Sequence, residues 1–221
     1  MTGLRAYVAS SIGKKQIVAI SGLLLVGYLV FHLSMNLLFF AGPDAFNFFP
    51  EKSHETGYLL RILEAGLAAI FLVHIVFTIL VVKENIAARR LGYRVNKSSP
   101  HRSFATRIMP VTGGILLLYL FLHLRDFVFK SHDGPASVVN GQQWGLYGLE
   151  WNAFHHPARV VFYVIAMFAV GFHLAHGIQS VVQTLGYRRA SQVWVNRIST
   201  LIGIGFALAF SSIPVITFLS H

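Results

Sequence analysis

The chain contains no cysteine, so it can form no disulfide, no thiolate metal site, no Cys-ligated cluster and no covalent haem link of the C-x-x-C-H type. Charge is scarce as well. Only 12% of the 221 residues are charged and eight of them are acidic, against 55% hydrophobic residues and a mean hydropathy of +0.61. That balance is too apolar for an ordinary soluble domain and reads as one membrane domain, residues 1–221. The shortage of acids leaves a formal charge of +10. On a soluble surface this would suggest nucleic acid, but here Lys and Arg sit in short segments between apolar runs, so no nucleic-acid partner is expected.

What is abundant is uncharged sequence of bilayer length. Runs without charge recur over 16–43, 65–82, 108–124, 160–187 and 198–220. With their flanks, each is long enough to cross a hydrocarbon core of about 30 Å, which needs roughly 20 helical residues. The first run follows Arg5, Lys14 and Lys15 and superficially resembles a signal peptide. At about 42 Å of helix it is too long for a signal h-region, and it reads as a retained span. The fold class is therefore all-α integral membrane, with five transmembrane helices predicted at 15–41, 58–89, 104–130, 157–186 and 194–219. Pro43, Pro100, Pro135 and Pro157 fall between spans or at their ends, whereas Pro110 and Pro214 lie inside predicted helices and imply kinks.

Basic residues in the short loops set the expected direction. One side takes Arg5, Lys14, Lys15, Lys83, Arg89, Arg90, Arg94, Lys97, Arg102, Arg107, Arg188, Arg189 and Arg197, thirteen of the eighteen. The other has Lys52, Arg61, Arg125, Lys130 and Arg159, together with every acid except Glu84. This places the N-terminus in the cytoplasm and the C-terminus outside.

Four histidines stand out against this background. His32, His74, His123 and His173 occur in the first four spans, each about 15 to 19 residues after its predicted helix begins. Any one alone reads most simply as a hydrogen-bonded core residue. Together, on helices of alternating direction, they fall into two layers. His32 and His123 lie towards the external leaflet, and His74 and His173 towards the cytoplasmic one. Two imidazoles per layer, from different helices, suit a haem iron with two axial histidines, whereas a zinc site wants three or four converging ligands. The expected cofactors are thus two noncovalent haems: an outer one on His32 and His123 and an inner one on His74 and His173.

His176 lies about 60° around the helix and about 4.5 Å deeper than His173 and is the alternative ligand, with His173 favoured by its matching depth. Gly22, Gly27, Gly66, Gly113, Gly114, Gly171 and Gly177 lie on the same four helices and would either admit a porphyrin face or let helices pack closely. A short echo, Phe31-His32-Leu33, Leu122-His123-Leu124 and Phe172-His173-Leu174, hints that helices one and two correspond to helices three and four.

These features resemble the dihaem cytochrome b subunit of succinate:quinone oxidoreductases, the succinate dehydrogenases and fumarate reductases. The resemblance spans nearly the whole chain. It rests on His32-Leu-Ser-Met-Asn36, on Arg61-Ile-Leu-Glu64 leading to His74, on His123, and on Gly171-Phe-His-Leu-Ala-His-Gly177 continuing to Gln183-Thr-Leu-Gly186. It implies a multi-pass subunit of a bacterial or archaeal cytoplasmic membrane that binds two haem b. Its partners would be a flavoprotein carrying FAD and an iron–sulfur subunit, and it would pass electrons between them and a membrane quinone in the respiratory chain and tricarboxylic acid cycle. The dicarboxylate chemistry would lie outside this chain, and quinone reaction on it. Menaquinone follows by family analogy if the quinone reacts at the external face. The basic loops suit partner docking as well as topology and contact with anionic membrane lipid.

For the quinone site, Arg61 and Glu64 lie one turn apart near the external end of helix two, either as an interfacial ion pair or as the polar edge of a quinone pocket. For haem propionates, Arg61 and Arg125 are the outer candidates and Lys83 and Arg107 the inner ones. The loop from Ser131 to Arg159, with Trp144, Tyr147, Trp151, His155 and His156, reads as an aromatic interfacial belt or as a lid over an external pocket. Two other functions fit less of the pattern: the dihaem cytochrome of a hydrogenase or formate dehydrogenase, and a haem-free transporter or proton channel with a histidine relay.

Overall fold

A computed structural model of the chain describes residues 3–90, 104–187 and 192–220. It is about 88% helical, and five of its helices are long and apolar enough to cross a membrane. After a short α1 (Leu4–Ala9), the spans are α2 (Ser11–Leu37, continued by a 3-10 turn to Ala41), α4 (Tyr58–Arg90), α5 (Phe104–His123), α7 (Pro157–Thr184) and α8 (Gln192–Leu219). These lie within a few residues of the predicted limits. The helices run on through Pro110 and Pro214. Past His123, α5 loosens into a π-helical turn, Leu124–Val128, a wider turn of the kind that often marks a functional site.

Two helices lie between the spans: α3 (Pro43–Glu55) and α6 (Gly145–Phe154). The segment read as a loop from Ser131 to Arg159 thus holds α6, preceded by a two-stranded hairpin, β1 (Val138–Val139) with β2 (Gln142–Gln143). No side chain of its own caps the start of α6. Asn47 of α3 does so from across the chain: its Oδ1 accepts from the Tyr147 amide at 3.0 Å and its Nδ2 donates to the Trp144 carbonyl at 3.0 Å. Tyr147 then stacks on Phe39 at 4.3 Å, inside a cluster with Phe46, Phe127, Phe154 and Tyr163. Buried there, Tyr147 takes no place in an interfacial belt, and α3 and α6 together cap one end of the bundle.

At the opposite, basic end, Lys14 of α2 pairs with Glu84 of α4, which accounts for the one acid on that side. The core follows α7, whose Ala166, Met167, Val170 and Leu174 are buried against Phe210 of α8. Two glycines make the α7–α8 approach possible. A Cβ on Gly171 would stand 2.6 Å from the Gly203 carbonyl oxygen, and one on Gly203 only 2.4 Å from that of Gly171. α2 packs along α4, α7 and α8, and α5 along α7, whereas α2 with α5 and α4 with α7 lack extended backbone contact. These are the helix pairs that carry the depth-matched histidines.

Candidate functional site

At the capped end, His32 of α2 and His123 of α5 face each other with ring centroids 5.8 Å apart and ring planes at 90°. Each ring is stacked by the tyrosine one turn before it: Tyr28 on His32 at 5.4 Å and Tyr119 on His123 at 5.5 Å. The Tyr119 hydroxyl lies 3.4 Å from His123 Nδ1. Asn36 donates to the His32 carbonyl at 2.8 Å, and its amide nitrogen is 3.4 Å from His32 Nε2, a contact long enough to yield to a stronger ligand.

Nearer the basic end, hydroxyl groups hold the second pair. Ser21 Oγ donates to the Ile17 carbonyl at 2.7 Å, so it accepts from His74 Nδ1 at 3.2 Å. Thr112 Oγ1 likewise donates to the Met109 carbonyl at 3.0 Å and accepts from His173 Nδ1 at 3.2 Å. In both rings the proton is therefore on Nδ1, which leaves the Nε2 lone pair free for a metal. This is the division of labour expected of a ligating histidine and its supporting partner. Gly22 and Gly113 lie beside the same rings: an added Cβ would be 3.2 Å from His74 Cε1 and 3.6 Å from His173 Cε1. His74 and His173 lie within electrostatic reach of each other.

His176 has no such hydroxyl partner: its Nδ1 is buried without a hydrogen-bond partner among the described residues. Thr112 instead anchors His173, the residue at the matching depth. Of the other glycines, Gly171 serves helix packing, while Gly27, Gly66, Gly114 and Gly177 face open space. Among the described residues no group of three or more histidines or carboxylates converges on one point.

No protein-family model, curated protein or solved structure matches the chain.

The supporting hydroxyls of Ser21 and Thr112 and the stacking Tyr28 and Tyr119 were missed in the sequence, although a signal for them exists. Ser21 and Thr112, Gly22 and Gly113, Tyr28 and Tyr119, and His32 and His123 are each 91 residues apart. The three-residue echo was the visible edge of this longer register. In space it becomes two equivalent helix pairs, α2 with α4 and α5 with α7, in which a hydroxyl and a glycine on the first helix meet a histidine on the second.

A cavity of about 350 Å³ opens beside His32 and His123 under α6, within the range of small-molecule sites. Its walls include Tyr119, Tyr163, Phe127, Phe154, Arg61 and Glu64. Arg61 and Glu64 form an ion pair at 3.3 Å, with half or more of each side chain exposed. Arg125 does not line the cavity. It pairs with Asp126, 3.1 Å away and 3% exposed, which Arg159 also approaches at 3.6 Å. Lys83 is exposed on α4, and the side chain of Arg107 lies outside the described residues.

One cavity residue had drawn no attention in the sequence. Glu150 of α6 is 6% exposed and reaches the cavity wall, and its carboxyl has no hydrogen-bond or ion-pair partner among the described residues. Burial pushes this carboxyl up to about 8 and raises the Tyr147 hydroxyl above its ordinary range, with the Glu150 charge adding to the latter. In sequence Glu150 looked like one more loop acid. Only the packing of α6 onto the bundle makes it a buried one.

Proposed function

We propose that the chain is a dihaem cytochrome b, the membrane anchor of a succinate:quinone oxidoreductase. The observation that carries this reading is the preparation of four histidines in two pairs. His32 and His123 would hold the outer haem, and His74 and His173, each presenting Nε2, the inner one. Bound haem supplies one-electron transfer at a potential tuned by its axial ligands and surroundings. The chain's own residues fix the tautomers of His74 and His173 and keep α2 and α5, and α4 and α7, without extended backbone contact. The cavity beside His32 and His123 is apolar with a few polar groups, as a quinone ring requires. By the positive-inside rule it faces the exterior, while the basic end faces the cytoplasm, where the FAD flavoprotein and iron–sulfur subunit would dock. Menaquinone follows by family analogy where the quinone reacts at the external face.

The test is spectroscopic. The purified chain is expected to show Soret and α bands and two haems per polypeptide. His32→Ala and His123→Ala should each remove the same haem, and His74→Ala and His173→Ala the other, while His176→Ala retains both. A wild-type preparation without these bands would reject the proposal. Subunits that copurify separate a succinate:quinone complex from a hydrogenase or formate dehydrogenase.

A further inference from the structure

Arg61 and Glu64 line the cavity as well, but they pair with each other at 3.3 Å and at least half of each side chain is exposed. Glu150 is different. Its carboxyl lines the same cavity from the capping helix and has no hydrogen-bond or ion-pair partner among the described residues. A buried, unpartnered carboxyl is costly unless a ligand or proton satisfies it.

Beside it lies a second cavity, about 520 Å³, lined by Asn47, Glu51, Lys130, Asp133 and others at the capped surface. The two cavities share Pro50, His132 and Leu146 as wall residues. Of these three only His132 can carry a proton, and its Nε2 lies 3.0 Å from the Phe127 carbonyl oxygen. The capped end thus has a buried acid inside, polar groups outside, and an imidazole on the wall between them.

We infer that Glu150 exchanges a proton with the quinone bound in this cavity, and that His132 passes that proton to the outer cavity and the capped face. The inference rests on the quinone reading given above. In the oxidising direction, a quinol O–H bond breaks and its proton joins the Glu150 carboxylate, while its electrons pass to a haem-class one-electron acceptor. The second proton leaves by the same route. In the reducing direction, the protonated carboxyl returns its hydrogen to the reduced quinone oxygen. A carboxyl that titrates near neutrality serves both directions.

The titratable and charged groups around Glu150 are Tyr119 of α5, Tyr163 of α7 and Tyr147 of its own helix, and the cavity it lines also holds His32, Arg61, Glu64, His123 and His132. Asp126 is engaged by Arg125 and Arg159, α3 contributes Glu51 on the outer cavity, and α8 contributes no charged group at this end.

The first test needs no turnover. The full chain in lipid nanodiscs is treated at neutral pH with a hydrophobic carbodiimide, which labels protonated buried carboxyls, with and without a saturating short-tailed naphthoquinone. Labelling of Glu150, read by mass spectrometry, should fall at least about tenfold with quinone. Equal labelling overturns the inference. In a second arm, Glu150→Gln should retain wild-type haem spectra, yet its reduced haem should be reoxidised by the naphthoquinone about a hundredfold more slowly, within the usual span for general acid–base groups. Glu150→Asp should recover part of the rate. A wild-type rate in Glu150→Gln also overturns the inference. Missing haem bands in the wild type would reject the haem reading by itself, because the labelling arm would still decide whether quinone meets Glu150.

Discussion

Thr112→Val removes one hydroxyl and keeps the shape of the side chain. Thr112 Oγ1 is committed to the Met109 carbonyl as donor and takes the His173 Nδ1 hydrogen as acceptor, with Thr112 itself only 6% exposed. Valine leaves that ring N–H buried without a partner, which costs about 1–3 kcal/mol. It also frees the ring to rotate or to move its proton to Nε2, the nitrogen needed by the metal. At about 1.4 kcal/mol per decade, the loss corresponds to roughly 5- to 150-fold in affinity for the proposed inner haem, comparable to the usual 10- to 100-fold effect of residues that support a metal ligand. Ser21→Ala should act on the same haem through His74, but less strongly, because that ring also has the Val18 carbonyl as a partner. The assay is haem titration into the apoprotein, with pyridine haemochrome quantitation and Thr112→Ser as a control that restores the acceptor. Wild-type affinity for both haems in Thr112→Val would refute the claim that Thr112 sets the His173 tautomer.

Gly203→Ala places a Cβ 2.4 Å from the Gly171 carbonyl oxygen, so α7 and α8 must part, at about 1–3 kcal/mol. Thermal unfolding in detergent should show the loss, whereas Gly205→Ala, facing open space on the same helix, should be neutral. Because burial raises the Glu150 carboxyl to about 8, the folded state holds this proton more tightly than the unfolded one. Its stability contribution is full below about pH 4.5 and falls as pH rises towards 8; Glu150→Gln should flatten that slope in an unfolding series from pH 5 to 9, and an unchanged slope would contradict it. Glu64→Gln breaks a largely exposed ion pair and should shift stability by less than about 1 kcal/mol, keep both haems and lower quinone reactivity. Unchanged turnover would remove Glu64 from the site.

The spans could be read from the sequence because a bilayer imposes a one-dimensional demand: about 20 residues of helix without charge, flanked by polar ends. The depth of His32, His74, His123 and His173 came with the spans, since depth follows from residue count along a helix. What residue count cannot give is azimuth. Which residues face the histidines depends on how helices rotate and cross, so Ser21, Thr112, Gly22 and Gly113 became partners of His74 and His173 only once α2 met α4 and α5 met α7. The same limit explains the error at the capped end. Tyr147 reads as part of an interfacial belt in the sequence, and only Asn47, capping α6, draws it into the core. Glu150 is the clearest case. A loop acid has no burial that can be read from its neighbours in the chain, because its burial belongs to α6 and the helices beneath it.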